Sequence, residues 1–331
     1  MSPALPVTPG DIRAAHGRIA PHIRRTPVLE TPSPAPGGAT VSLKLEQLQH
    51  SGSFKARGAF HNLITRKAPP AGCATASGGN HGAAVAFAAR KLGVRARVFV
   101  PETSPAAKIA KIRAYGAEAA VGGANYPEAQ ERCDAYVRES GALAIHPYDA
   151  PETVAGAGTV GLEWEEDLAK LGLAPLDTVL VAVGGGGLVS GVAAWFAGRV
   201  RVVGVEPQHS RALHSAIEAG KPVDVTVKSI AADSLGAKRV GAVNFAIARR
   251  FVDRVALVPD AAIAEAQRTL WSDFSIVAEP GGAAAFAALA SGAYEPKAGE
   301  RVGVLVCGAN MDLAALAKAS APEAAHNFTR A

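Results

Sequence analysis

Lys55 lies in SGSFKARGAF (residues 51–60), flanked by Gly52, Ser53, Phe54 and Ala56 rather than by charged residues. A lysine among small residues is placed for its amine to react, although the decapeptide alone reads equally well as a glycine-rich loop with a surface lysine. A second stretch, VAVGGGGLVSG, sets Gly184, Gly185, Gly186 and Gly187 between an apolar run and a helical pattern. Glycines there let backbone N–H groups converge on an anion, and the helix N-terminus adds a favourable dipole. Four in a row lose much backbone freedom on folding, more than a packing turn justifies. A P-loop is excluded, because no Lys-Ser/Thr pair ends the run. A dinucleotide fingerprint fits Gly185 and Gly187 but finds Ser190 at its third glycine, with no acidic residue closing the next strand before Glu206. A small phosphorylated cofactor fits better. A reactive lysine with a phosphate cradle points to pyridoxal phosphate held as a Schiff base.

Two further stretches could line the same site. ASGGNHG (76–82) is small and polar and opens the helical stretch AAVAFAARKLG, so its amides are suited to a substrate carboxylate. Asn80 could hydrogen-bond a phenolic oxygen, whereas His81 reads better as support for the loop. VCGANMD ends a late apolar run at Cys307, and strand C-termini in an open parallel sheet face the ligand crevice.

The elements that must position these residues alternate. ARVFVP (96–101), TVLVAV (178–183), RVVGVEP (201–207) and RVGVLVCG (301–308) read as buried strands. SPAAKIAKIRAYGA (104–117) reads as a helix capped by Ser104 with Pro105 first, LVSGVAAWFAG as another, and TPSPAPGGAT (31–40) as a polar turn. Helices between unbroken apolar strands imply an α/β protein with parallel sheets covered on both faces.

At 331 residues, 49% hydrophobic and 19% charged, the chain predicts a globular protein of two domains. The net charge of +5 is dispersed and aromatics are only 5%, against a nucleic-acid surface. Cys73, Cys133 and Cys307 are odd in number and form no CxxC pair, which fits a reducing compartment and no zinc framework. MSPALPVTPG has no signal-peptide core, and the uncharged Thr178–Gly198 stretch is broken by its glycines, so a soluble, cytoplasmic protein without a membrane span is expected.

In order, KLEQLQHSGSFKARGAF, SGGNHG, GGGGL, GVEP, AEPGGAA and CGAN resemble the serine/threonine dehydratase family of fold-type II pyridoxal-phosphate enzymes, over about residues 15 to 315. The resemblance implies the tryptophan synthase β-like fold, two open parallel-sheet α/β domains with pyridoxal 5'-phosphate in the cleft. It implies a large domain of residues 1–64 and 152–331, a small mobile one of 65–151, and a homodimer. By the same resemblance Lys55 carries the cofactor and Phe54 packs on its ring. Asn80 binds the ring oxygen, Gly184, Gly185, Gly186, Gly187 and Leu188 bind the phosphate, and Cys307 faces the pyridine nitrogen. Ser77, Gly78, Gly79, Asn80 and His81 hold the substrate carboxylate.

A neutral thiol at the ring nitrogen favours prompt loss of a β-substituent over transamination. The reaction expected is therefore α,β-elimination of L-threonine, L-serine or a related β-hydroxy amino acid to a 2-oxo acid and ammonia, with Lys55 taking the α-proton. Alternatives are racemisation, or dehydration of a bulkier hydroxyaspartate- or phenylserine-type substrate. More distant are a dinucleotide-dependent oxidoreductase and a non-catalytic ligand binder, the latter opposed by Lys55. Three positions depart from the family pattern. Gly78 stands where its racemases have a serine, so little racemisation is expected, more in Gly78→Ser. Ser234 replaces a common glycine. Ala212 stands about where metal-binding members have a second acidic ligand after Glu206, so no metal site is expected.

Overall fold

The computed structural model describes residues 5–33, 39–312 and 314. Two sheets organise them. The larger has strands β1 (Val28–Pro32), β2 (Thr40–Leu45), β7 (Thr178–Ala182), β8 (Arg201–Pro207), β9 (Val252–Val258) and β10 (Arg301–Val306), in the order β1-β2-β10-β7-β8-β9. The smaller has β3 (Cys73–Ala76), β4 (Ala96–Val100), β5 (Glu118–Val121) and β6 (Leu143–Ala144), in the order β5-β4-β3-β6. The smaller sheet is wholly parallel. The larger is parallel except at β1, which pairs antiparallel with β2. The expectation of purely parallel sheets is corrected at that edge. β1 is half-exposed and need not be an unbroken apolar run, as the buried strands must. Residues 31, 32 and 40 of the expected 31–40 turn belong to β1 and β2, and residues 34–38 lie outside the described residues.

Every residue of β7 is buried, as are all but the first of β8 and β10. Helices cover both faces, as these runs require. Three of them set the site: α2 (Lys55–Arg66), α6 (Pro151–Lys170) and α7 (Gly187–Phe196). They meet through glycines. A Cβ on Gly156 of α6 would lie 2.7 Å from Arg57 O and from Gly58 Cα of α2, and one on Gly191 of α7 would lie 2.6 Å from Gly158 N and Val154 O of α6. Such backbone-to-backbone contact leaves no slack. The helix that begins at Lys55 and the helix that follows the four glycines are thus seated on one common helix.

A buried ionic cluster reinforces that seat. Arg57 donates to Glu46 (2.8 and 2.6 Å), Glu163 (3.1 Å) and Thr159 (3.2 Å). Lys44 Nζ donates to Thr26 O (2.7 Å), Glu163 (2.8 Å) and Asp167 (3.0 Å). Arg57, Lys44 and Glu46 are fully buried. β2, α2 and α6 are thereby tied by charge as well as by packing.

In the smaller unit, α3 (Asn80–Lys91) follows β3 and α4 (Ala106–Ala114) follows β4. α3 begins at Asn80, earlier than its apolar run suggests, which brings Asn80 and His81 into its first turn. α4 starts at Ala106 with Pro105 as N-cap and no side-chain capping bond, so Ser104 is not the cap expected.

Candidate active site

The segment before α2 is pinned to the end of β10: Ser53 bridges to Gly308, and Phe54 N donates to Cys307 O at 3.2 Å. That brings Lys55 and Cys307, far apart in sequence, to one place. The Lys55 side chain is partly buried and donates from Nζ to Pro147 O at 2.7 Å. Burial lowers its amine to about pKa 8, although neighbouring Cys307 and Glu279 pull the other way. The neutral, nucleophilic form is then available near neutral pH. Capture of an aldehyde by the cofactor-free protein should accelerate about tenfold per pH unit below pH 8 and level off above it. Stopped-flow absorbance gives the profile, and a plateau reached only near pH 10 or above would contradict it.

The glycine loop joins β7 to α7, as its position between strand and helix predicts. Gly186 is the N-cap of α7 at φ +94, a left-handed conformation that glycine adopts without strain. The Gly185 carbonyl is occupied by Asn244 Nδ2 (2.8 Å) and Gly241 N (3.1 Å). A Cβ at Gly185 would lie 2.4 Å from the Tyr148 ring, and one at Gly187 would lie 3.0 Å from Tyr148 O. Gly187, Lys55, Phe54 and Pro147 line one narrow cleft with Gly58, Thr153 and Ala157. An amine and the positive end of a helix thus share a cavity.

The loop Ser77–His81 lies nearby, His81 close enough to feel the Lys55 charge. Ser77 Oγ accepts from Gly79 N at 3.3 Å, and Gly79 is 3.5 Å, measured from where its Cβ would be, from Asp233 O. His81 is buried and donates from Nε2 to Ile145 O at 3.1 Å. Burial, with the Lys55 charge nearby, lowers its pKa to about 3, so its imidazole is neutral and its side chain supports the loop, as expected. Both ends of the Asn80 amide cross the cleft: Nδ2 donates to Glu279, and Oδ1 accepts from Asn310 Nδ2 at 2.8 Å. Lys111 of α4 donates to Asn310, and Lys108 pairs with Asp233.

Cys307 is buried and its Sγ donates to Gly281 O at 3.4 Å. Burial and the neighbouring Glu279 push the thiol up to about 12, so it stays protonated. The motif AEPGGAA by itself assigns Glu279 no role; burial raises its carboxyl to about 7, while Asn80 and the two lysines of α4 favour its charge. Asn310 and Tyr148, which the sequence does not single out, also meet the site, Asn310 at Asn80 and Tyr148 at Gly185 and Gly187. The signal for Glu279 was present, since an acid preceding Pro-Gly-Gly is well placed at the start of a helix, here α12 (Pro280–Ala290). Ser234 places its hydroxyl where a side chain at Gly281 would go, with 2.1 Å between Oγ and that Cβ position.

A depressed lysine amine, a helix end that tolerates no side chains and a neutral buried thiol, all around one cleft, fit pyridoxal phosphate. A family model for pyridoxal-phosphate dependent enzymes matches residues 19–308. The chain belongs to this family. It is a fold-type II member of the serine/threonine dehydratase group, an enzyme, and its cofactor is pyridoxal phosphate. Among relatives of this pyridoxal-phosphate enzyme, a phenylserine dehydratase of Ralstonia pickettii is 39% identical over 314 residues, covering 93% of this chain and 94% of the relative. An L-threonine ammonia-lyase of Geobacter sulfurreducens is 37% identical over 308 residues, covering 91% and 75%. The structure of maize serine racemase superposes with a TM-score of 0.85 at 32% identity, covering 94% of this chain and 96% of that one. The dinucleotide alternative is thereby set aside.

Glu206 is committed elsewhere in this pyridoxal-phosphate enzyme. Its two oxygens accept Leu213 N (2.8 Å) and His214 N (2.9 Å) in the first turn of α8 (Ala212–Ala219), and burial raises its pKa to about 8. No described helix is long and apolar enough to cross a membrane.

Proposed function

We propose that the protein converts L-threonine, L-serine or a related β-hydroxy amino acid to a 2-oxo acid and ammonia. The substrate loses its α-proton and β-hydroxide, and the resulting unsaturated amine takes up water and releases ammonia. One observation supports this reading: the Lys55 amine, held by Pro147 O, lies next to the Cys307 segment through the Phe54 N to Cys307 O bond, with the neutral thiol of Cys307 and the start of α3 near it. Pyridoxal phosphate, when bound, supplies an electron sink for bond breaking at the α-carbon. Lys55 Nζ is the group to take the α-proton, being neutral above pH 8 and held by Pro147 O. Gly184, Gly185, Gly186, Gly187 and Leu188 hold the phosphate, Phe54 packs on the ring, and Asn80 meets the ring oxygen. The loop Ser77, Gly78, Gly79, Asn80 and His81 binds the substrate carboxylate at the start of α3. Cys307 brings no negative charge to the ring nitrogen, which favours expelling hydroxide over stabilising a long-lived carbanion.

Residues 1–64 and 152–331 form the large domain of this reading and 65–151 the small one. Closing the cleft between them expels water before the proton moves. The three free, buried cysteines suit a cytoplasmic protein, and a homodimer is the assembly proposed. The test is product analysis with L- and D-serine, L-threonine and phenylserine. A 2-oxo acid and ammonia in equal amounts, without interconversion of L- and D-serine at a comparable rate, is expected. Interconversion as fast as 2-oxo acid formation would favour a racemase instead.

A further inference from the structure

Gly78 is the one position of the carboxylate loop whose missing side chain is replaced by a neighbour. An ideal Cβ on Gly78 would lie 2.0 Å from Ser104 Oγ, 2.8 Å from Ser104 Cβ and 3.2 Å from Val100 Cγ1. Ser104 therefore fills, from another loop, the space that a side chain at 78 would enter. A serine at 78 would have to displace the Ser104 side chain, so the expected gain of racemisation in Gly78→Ser depends on Ser104 giving way.

Among the described residues, the Ser104 hydroxyl has no capping or hydrogen-bonding role that accounts for its placement. Ser104 does not cap α4, which starts two residues later behind Pro105. Its N–H donates to Pro101 O at 3.0 Å, so a turn bracketed by Pro101 and Pro105 holds it. Its hydroxyl makes no hydrogen bond among the described residues, and the residue is only half-buried. The adjoining Gly79 faces Asp233 across the cleft, and Asp233 pairs with Lys108, four residues after Ser104. The hydroxyl therefore stands next to the loop Ser77–His81, beside Gly78.

We infer that Ser104 is a substrate-binding residue: its hydroxyl donates to the substrate carboxylate from the position Gly78 leaves empty. This rests on the carboxylate site proposed above. A neutral alcohol there adds a hydrogen bond to a charged acceptor. Because Oγ is carried on a proline-bracketed turn of the small sheet, it moves with the loop Ser77–His81.

Two measurements on the full chain test this. The first is packing, read as the melting temperature of the cofactor-free protein. Gly78→Ser should melt lower than wild type, and adding Ser104→Gly, which removes both Oγ and Cβ, should recover most of the loss. Equal melting of Gly78→Ser and wild type would overturn the juxtaposition. The second is substrate binding in the holoenzyme with Ser104→Ala, using L-alanine, which has no β-hydroxyl to eliminate, in a spectral titration. Its dissociation constant should rise about tenfold, the loss of one hydrogen bond to a charged group, while the cofactor band stays unchanged. An unchanged constant would refute Ser104 as a carboxylate donor yet leave the elimination reading standing. A tenfold rise in an enzyme that forms no 2-oxo acid from any substrate of the panel would sink that reading and keep Ser104.

Discussion

Lys55→Ala is expected to purify without the covalent cofactor absorbance and to lose 2-oxo acid formation by at least about a thousandfold. The size of the effect follows from two duties falling on one nitrogen. In the proposed reading the amine that holds the cofactor covalently also takes the α-proton, and the lysines of α4 nearby are engaged elsewhere. Lys108 pairs with Asp233 and Lys111 donates to Asn310. Neither sits at the cleft wall shared by Phe54, Pro147 and Gly187. Folding should survive, because the lost hydrogen bond is to a single carbonyl, Pro147 O. Absorbance spectroscopy, a 2-oxo acid assay and circular dichroism separate the effects. Retention of both band and turnover would remove the central assignment.

The second large effect concerns stability. Arg57→Met should destabilise the fold by about 3–5 kcal/mol, because it strands Glu46, fully buried, without its bidentate partner. It also removes one of two cations from Glu163. Burial alone would raise the Glu163 pKa, but Arg57 and Lys44 outweigh it and hold the carboxyl down to about 2. A carboxylate lowered in the folded state stabilises above its ordinary value near 4.5, and that contribution fades as pH falls toward 2. Wild-type stability should therefore decline over that window, more steeply than in Arg57→Met. Urea unfolding at pH 7 and about pH 3 measures both; a midpoint unchanged by the substitution at pH 7 would show that the cluster contributes nothing. Replacing the whole cluster with apolar residues is a different experiment, since removing every charge leaves none stranded.

Much of the site was legible because its signals are local. Strand, glycines and helix are consecutive at β7–Gly184–α7, and Asn80 follows its own strand β3 directly. Lys55 was legible for the same reason, through the small residues on either side. Contacts across long sequence separations left no local trace. Asn80 meets Glu279 from 199 residues away, and Arg57 meets Glu163 from 106. Nothing in EPGG or in KLEQ states that its acid is buried against a particular cation or amide. Ser104 misled for a related reason: serine before proline carries a strong local capping signal, which the half-buried position beside Gly78 overrides. The antiparallel pairing of β1 was likewise hidden, because alternating polarity at a sheet edge does not record strand direction.

The chain leaves the larger sheet along α2 and comes back along α6, and these two crossings touch at their bases. Asn62 Nδ2 donates to Thr153 Oγ1 at 2.9 Å and His61 Nδ1 to Glu152 O at 2.8 Å. The intervening segment is therefore an insertion whose two ends emerge side by side. Its covalent attachment is a single stem, and beyond it the smaller unit meets the rest of the chain through side chains such as Asn80 on Glu279 and Lys108 on Asp233. The same stem makes the unit modular. Residues between the crossings can be exchanged for those of a relative, or new termini opened within them, while the amine and the glycine loop keep their spacing on α6. On the proposed reading, the loop that would choose substrate and the groups that would grip the cofactor lie on opposite sides of that stem.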